Sequence, residues 1–125
     1  MPHPNRILVV DDSRAMRMLI SRSLQALGFD IIEAPDGRDA LSRLRDTEDI
    51  VAALVDWNMP EMNGIEFVKH VRSSVSWRDL PVLLVTSETD TDRIRQAIEE
   101  GADEYVIKPF TSDGLEMKLQ TAGVL

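Results

Sequence analysis

The chain has 125 residues, the usual size of one domain, and 43% of them are hydrophobic, enough to fill a core. Its 22 acidic residues against 14 basic ones leave a net charge of −8, which argues against duplex nucleic acid or an anionic membrane surface as the main partner. The lack of cysteine excludes a disulfide framework and Cys-ligated zinc, and it is compatible with a reducing cytoplasm. The opening MPHPNR has no apolar leader pattern, and no apolar run approaches the roughly 18–20 residues of a bilayer span. The expected location is therefore cytoplasmic, without membrane insertion.

Apolar runs alternate with helical patterns along the chain. Ile7–Val10 reads as a buried strand. After it, Met16, Leu19, Ile20, Leu24 and Leu27 recur at helical spacing, so they should face inward, and Gly28 marks the stop. DIIEA is a second, shorter strand. Asp36 should cap the next helix, with Ala40, Leu41 and Leu44 inward. Val51–Val55 is the third strand, and Gly64 opens a helix with Ile65, Val68 and Val71 on one face. PVLLVT forms the fourth strand, Pro81 suiting its first position. DTDRIRQAIEEGA is a helix with an acidic first turn, favourable at the positive end of the helix dipole, and Gly101 lies just past its end. EYVIK is the fifth strand. A short glycine-bearing helix, TSDGLEMKLQ, closes the pattern, capped at Thr111 or Ser112.

Strict βα alternation with near-continuous apolar strands implies a parallel sheet covered on both faces. Right-handed crossovers then favour a doubly wound α/β sandwich, read as one domain over residues 1–125. Ligand sites of such sheets lie beyond the carboxyl ends of the strands. Strand one runs into Asp11 and Asp12, strand three into Asp56, strand four into Thr86 and Ser87, and strand five into Lys108 and Pro109. Glu33, at the end of strand two, lies apart if that strand is an edge.

Three carboxylates and one ammonium should thus converge. At ~4 Å and an effective dielectric of ~20, each like-charge pair costs about 4 kcal/mol, and one lysine cannot neutralise three acids. A divalent cation brings the sum to zero. With only oxygen donors offered, Mg²⁺, or Mn²⁺ as a substitute, is selected over zinc. A hard cation beside a carboxylate, with an ammonium and a hydroxyl opposite, suits phosphoryl transfer, and the product would be an acyl phosphate on Asp56.

The motifs VVDDS, DWNMPEMNG, LLVTSE and YVIKPF, in this order and spacing, resemble the receiver domain of bacterial two-component response regulators, and in particular the stand-alone, CheY-like chemotaxis regulators. The resemblance covers nearly all of the chain. It implies a flavodoxin-like (βα)5 fold with strand order 2-1-3-4-5, an order already known for this family. It implies Asp56 as phospho-acceptor, with Mg²⁺ held directly by Asp12, Asp56 and the main-chain carbonyl of Asn58 and through water by Asp11. Lys108 would pair with the acceptor and then with the phosphoryl group. Thr86 would move toward that group, and Tyr105 would change rotamer as the readout. Asn58 and Glu88 stand where the family tunes the lifetime of the phosphoryl group. The Lys108–Pro109 bond is expected to be cis.

The implied function is a phosphorylation-controlled binding switch. A sensor histidine kinase or phosphotransfer protein supplies the phosphoryl group. The face formed by the fourth helix, fifth strand and fifth helix, with Arg93, Arg95, Tyr105 and Lys118, contacts a target such as a flagellar motor-switch protein. It would be a signalling switch rather than an enzyme, with only self-catalysed phosphotransfer and slow autodephosphorylation. A chemotaxis phosphate sink or a stress-signalling relay has the same appearance. A receiver belonging to a longer regulator is an alternative, although the chain ends soon after the fifth helix. Haloacid-dehalogenase-type phosphatases also use an Asp nucleophile and Mg²⁺, but their second acid follows two residues later, where this chain has Ser13, and no cap insertion is present. An FMN carrier shares the fold, but the acidic pocket would repel its phosphate unless metal is bound. His3 and His70 fit no metal pattern. Trp57 reads as a positioned surface aromatic, and Trp77 as packing onto a helix end.

Overall fold

The computed structural model describes residues 5–87, 89 and 91–125. Five strands, β1 (Arg6–Val10), β2 (Asp30–Ala34), β3 (Ile50–Asp56), β4 (Val82–Thr86) and β5 (Glu104–Ile107), alternate with five helices. The helices are α1 (Arg14–Ala26), α2 (Gly37–Asp46), α3 (Gly64–Arg72), α4 (Thr91–Glu99) and α5 (Ser112–Thr121). The sheet is parallel throughout, in the order β2-β1-β3-β4-β5. The flavodoxin-like (βα)5 expectation is therefore met.

The reason lies in the strand sequences. In β1, Ile7, Leu8, Val9 and Val10 are all buried, so consecutive side chains, which point to opposite faces, both require cover. On one face, Leu8, Val10, Ala53, Val55 and Leu84 pack with Leu44, Phe67, Val68, Val71 and Ala97 from α2, α3 and α4. On the other, Ile7, Val9, Leu54, Leu83 and Val85 pack with Ile20, Leu24, Leu115 and Leu119 from α1 and α5. Phe67 is fully buried; truncating such a side chain to alanine typically costs about 3–5 kcal/mol.

The helix starts follow capping chemistry. Asp36 accepts from the Asp39 amide at 2.8 Å and Thr111 from the Gly114 amide at 3.0 Å, which decides between Thr111 and Ser112. Two caps were not foreseen. Ser13 caps α1 through the Met16 amide, and Asn63 forms a reciprocal capping box with Glu66 at the head of α3.

Some boundaries and faces differ from expectation. β3 starts one residue earlier and reaches Asp56, while Pro81 stands just before β4, where its carbonyl accepts the Ala53 amide. α4 ends at Glu99, and Asp90, counted in its acidic first turn, lies outside the described residues. Leu19, expected inward, is 56% exposed. It lines an open groove with Met16, Pro109 and Phe110, while the fully buried apolar side chains through which α1 covers its sheet face are Ile20 and Leu24. No helix among the described residues is long and apolar enough to cross a membrane.

Candidate functional site

The register of the sheet builds the site. Val10 lies opposite Val55, so Asp11 and Asp56 leave neighbouring strands at the same level. Asp56 lies opposite Val85, so Thr86 projects one residue beyond it, and Thr86 lies opposite Ile107, so Lys108 emerges one residue further still. The order 2-1-3 reverses at β1, and the crevice between β1 and β3 is where an α/β sheet opens for a ligand.

One carboxylate oxygen from each of Asp11, Asp12 and Asp56 falls within 4.8 Å of the others. Asp11 and Asp56 are buried and Asp12 is exposed. The Lys108 ammonium lies 3.2 Å from Asp56 Oδ1 and 3.6 Å from Asp11 Oδ2. Asp11 Oδ1 accepts the Ser13 amide at 2.8 Å, which ties the acid to the start of α1. Asp11 Oδ2 is buried and has no hydrogen-bond donor. Burial, and next the charge of Asp11, push the Asp56 carboxyl above its ordinary value; the Lys108 charge and hydrogen bond and the Asn58 amide work in the opposite direction.

These features fit a hard divalent cation. The donors are all carboxylate oxygens, their charge exceeds what one ammonium balances, and one buried oxygen still has coordinating capacity. Thr86 is buried at the end of β4 and its carbonyl accepts the Lys108 amide at 2.7 Å, whereas Ser87 is exposed. The Lys108–Pro109 peptide is cis, as expected. Glu33 stands apart on the edge strand, paired with Arg17 at 3.2 Å. Glu88 lies outside the described residues. Tyr105 is half-buried, with the Lys118 ammonium 4.0 Å from its ring centroid, and Lys118 also pairs with Glu104 at 3.1 Å.

The loop after Asp56 is shaped for close approach. A Cβ on Gly64 would meet Leu84 Cδ2 at 2.8 Å and the Asp56 carbonyl at 2.9 Å, so glycine lets α3 begin against the end of β3. Glu61 has φ 66°, and the Met62 amide bonds to the Pro60 carbonyl at 2.7 Å, a tight γ-turn. Such a residue stores about 1–3 kcal/mol of strain. Trp57 departs from expectation: it is 3% exposed, its ring packed into the core formed with α3 and α4. The Arg93 guanidinium lies 5.4 Å from its centroid. Residue alternation alone could not show this, because the cover comes from a helix more than thirty residues downstream.

A doubly wound sheet with acids after β1 and β3 facing a lysine after β5 is the arrangement of a receiver-type signalling module. The chain belongs to the response regulator receiver domain family, whose pattern it matches over residues 7–120. It is 42% identical over 116 residues to a chemotaxis protein CheY homolog of Campylobacter jejuni, covering 92% of this chain and 89% of that protein. Chemotaxis protein CheY1 of Helicobacter pylori is 40% identical, with 92% and 94% covered. The structure of Vibrio cholerae chemotaxis protein CheY4 superposes with a TM-score of 0.87 at 36% identity, covering 97% of this chain and 98% of that one. The chain is thus a CheY-like receiver domain, of a class that signals rather than acting as a conventional enzyme and binds Mg²⁺ at an acidic pocket.

Proposed function

We propose that this receiver accepts a phosphoryl group on Asp56 from a histidine kinase or phosphotransfer protein and thereby changes the affinity of its α4–β5–α5 face for a target. The observation that carries the reading is the meeting of Asp11, Asp12 and Asp56 with Lys108 at the carboxyl edge of the sheet. Asp12, Asp56 and the Asn58 carbonyl would hold Mg²⁺, or Mn²⁺ in its place, with Asp11 acting through water. When bound, the ion offsets charge on the phosphoryl oxygens. An Asp56 carboxylate oxygen attacks phosphorus in line as the bond to the donor's histidine nitrogen breaks, and the imidazole leaves with its electron pair. Lys108, already 3.2 Å from the acceptor, follows the negative charge onto the phosphoryl oxygens.

The Thr86 hydroxyl then turns toward the phosphoryl group, and Tyr105 repacks in the space that this opens. Asn58 and Glu88 govern how readily water reaches phosphorus for the slow self-dephosphorylation. The receiver domain works in the cytoplasm, without contact to nucleic acid or insertion in a membrane. The chemotaxis proteins among its relatives favour a chemotaxis role, and the target proposed for the output face is a flagellar motor-switch protein. The test is uptake of phosphoryl from acetyl phosphate with Mg²⁺, read by intact-protein mass. The wild type should gain one phosphoryl group and Asp56→Asn none; full uptake by Asp56→Asn would overturn the assignment.

A further inference from the structure

We propose that Arg93 is a positioning residue for phosphoryl acceptance at Asp56, acting through the ring of Trp57. The inference rests on the reading of Asp56 as the acceptor. Arg93 belongs to the first turn of α4, remote in sequence from the acceptor, and its guanidinium lies 5.4 Å from the Trp57 ring centroid. The ring is held beneath it in the core that includes Ile94 and Ala97 of the same helix. A cation over an indole face is attracted by the ring quadrupole, and the arginine stem covers apolar surface at the same time.

The backbone of Trp57 is pinned too. Its amide donates to the Val85 carbonyl at 3.0 Å, and its carbonyl accepts from the Gly64 amide at 2.9 Å. The next amide, that of Asn58, donates to the Asp56 carboxylate. Rotation of the indole therefore bears on the peptide that aims the acceptor. Arg93 adds a side-chain contact to that segment, from the helix that carries part of the output face. The contact gives the β3–α3 loop and α4 a direct link at the mouth of the site, separate from Thr86.

The experiment uses the full chain with Trp77→Phe, so that Trp57 is the single tryptophan. Arg93→Ala and Arg93→Lys are compared in two assays. One is acrylamide quenching of Trp57 fluorescence without divalent cation; the other is the initial rate of phosphoryl uptake from acetyl phosphate with Mg²⁺. Loss of the cation should raise the quenching constant about twofold and slow uptake about threefold, in line with one exposed cation–π contact. Arg93→Lys should recover most of both, whereas Arg93→Met, assayed alongside, keeps an apolar stem without the charge and should stay close to Arg93→Ala. Unchanged quenching and uptake in Arg93→Ala, or a lysine variant as impaired as alanine, would overturn the proposal while leaving Asp56 as acceptor. Failure of the acceptor reading has a different signature, namely uptake by Asp56→Asn at the wild-type rate, and it would remove this inference as well.

Discussion

Asp56→Asn should make the protein more stable when divalent cations are removed, because burial, and next the charge of Asp11, disfavour the Asp56 carboxylate. At 4.8 Å, the outer separation within the acidic cluster, each carboxylate repulsion amounts to about 3.5 kcal/mol at an effective dielectric of ~20. Asp56 faces two of these, from Asp11 and Asp12. The Lys108 ammonium at 3.2 Å offsets about 5 kcal/mol on the same scale. About 2 kcal/mol of repulsion is left over. Burial of the carboxylate adds to it, and the exposure of Asp12 takes some away.

Asparagine has the same shape, carries no charge and still offers an oxygen to Lys108. A gain of about 2 kcal/mol follows, a rise in Tm of roughly 5–10 °C for a domain of this size. The pH dependence has a definite sign. The folded carboxyl is held above its ordinary value of 3.8, so the wild type's stability relative to the variant is greatest below that value and is lost as pH rises through the folded pKa. The variant's advantage should therefore be complete at pH 7, shrink as pH falls through the raised pKa, and vanish below the ordinary value. Urea unfolding in EDTA at a series of pH values measures this. A variant no more stable than wild type at pH 7, or one whose advantage persists unchanged below the ordinary carboxylate value, would refute the electrostatic argument.

Other substitutions probe the surrounding supports. Lys108→Met leaves Asp11 and Asp56 without their ammonium and should cost about 2–4 kcal/mol at neutral pH, with part of the loss recovered when Mg²⁺ is added to the urea titration. Arg72 bonds the Gly101 carbonyl at 2.9 Å, the Leu80 carbonyl at 2.6 Å and Asp103 at 2.7 Å, so it ties the end of α3 to the segments entering β4 and β5. Arg72→Ala should lower stability by about 2–3 kcal/mol in chemical denaturation, and an unchanged midpoint would show those bonds to be dispensable. Gly64→Ala forces a methyl group against Leu84 and the Asp56 carbonyl, at an expected cost of about 1–3 kcal/mol, and should slow phosphoryl uptake because the acceptor's own peptide must shift.

Much of the fold follows from local chemistry. The doubly apolar strands, Asp36 and Thr111 at their caps and the acids placed directly after β1 and β3 are all short-range signals, and the crossover rule turns them into a parallel sandwich with those acids at one edge. The Asn63–Glu66 capping box is also written in the sequence, as an amide residue followed three positions later by an acid. Other features had no local signal. Which of two adjacent acids is buried, Asp11 rather than Asp12, depends on the turn into α1. Trp57 lies buried and Leu19 open because α4 covers the one, while α1 reaches its sheet through Ile20 and Leu24. Periodicity along a chain tells which side chains need cover, but what supplies that cover comes from segments tens of residues away, and only their packing decides it.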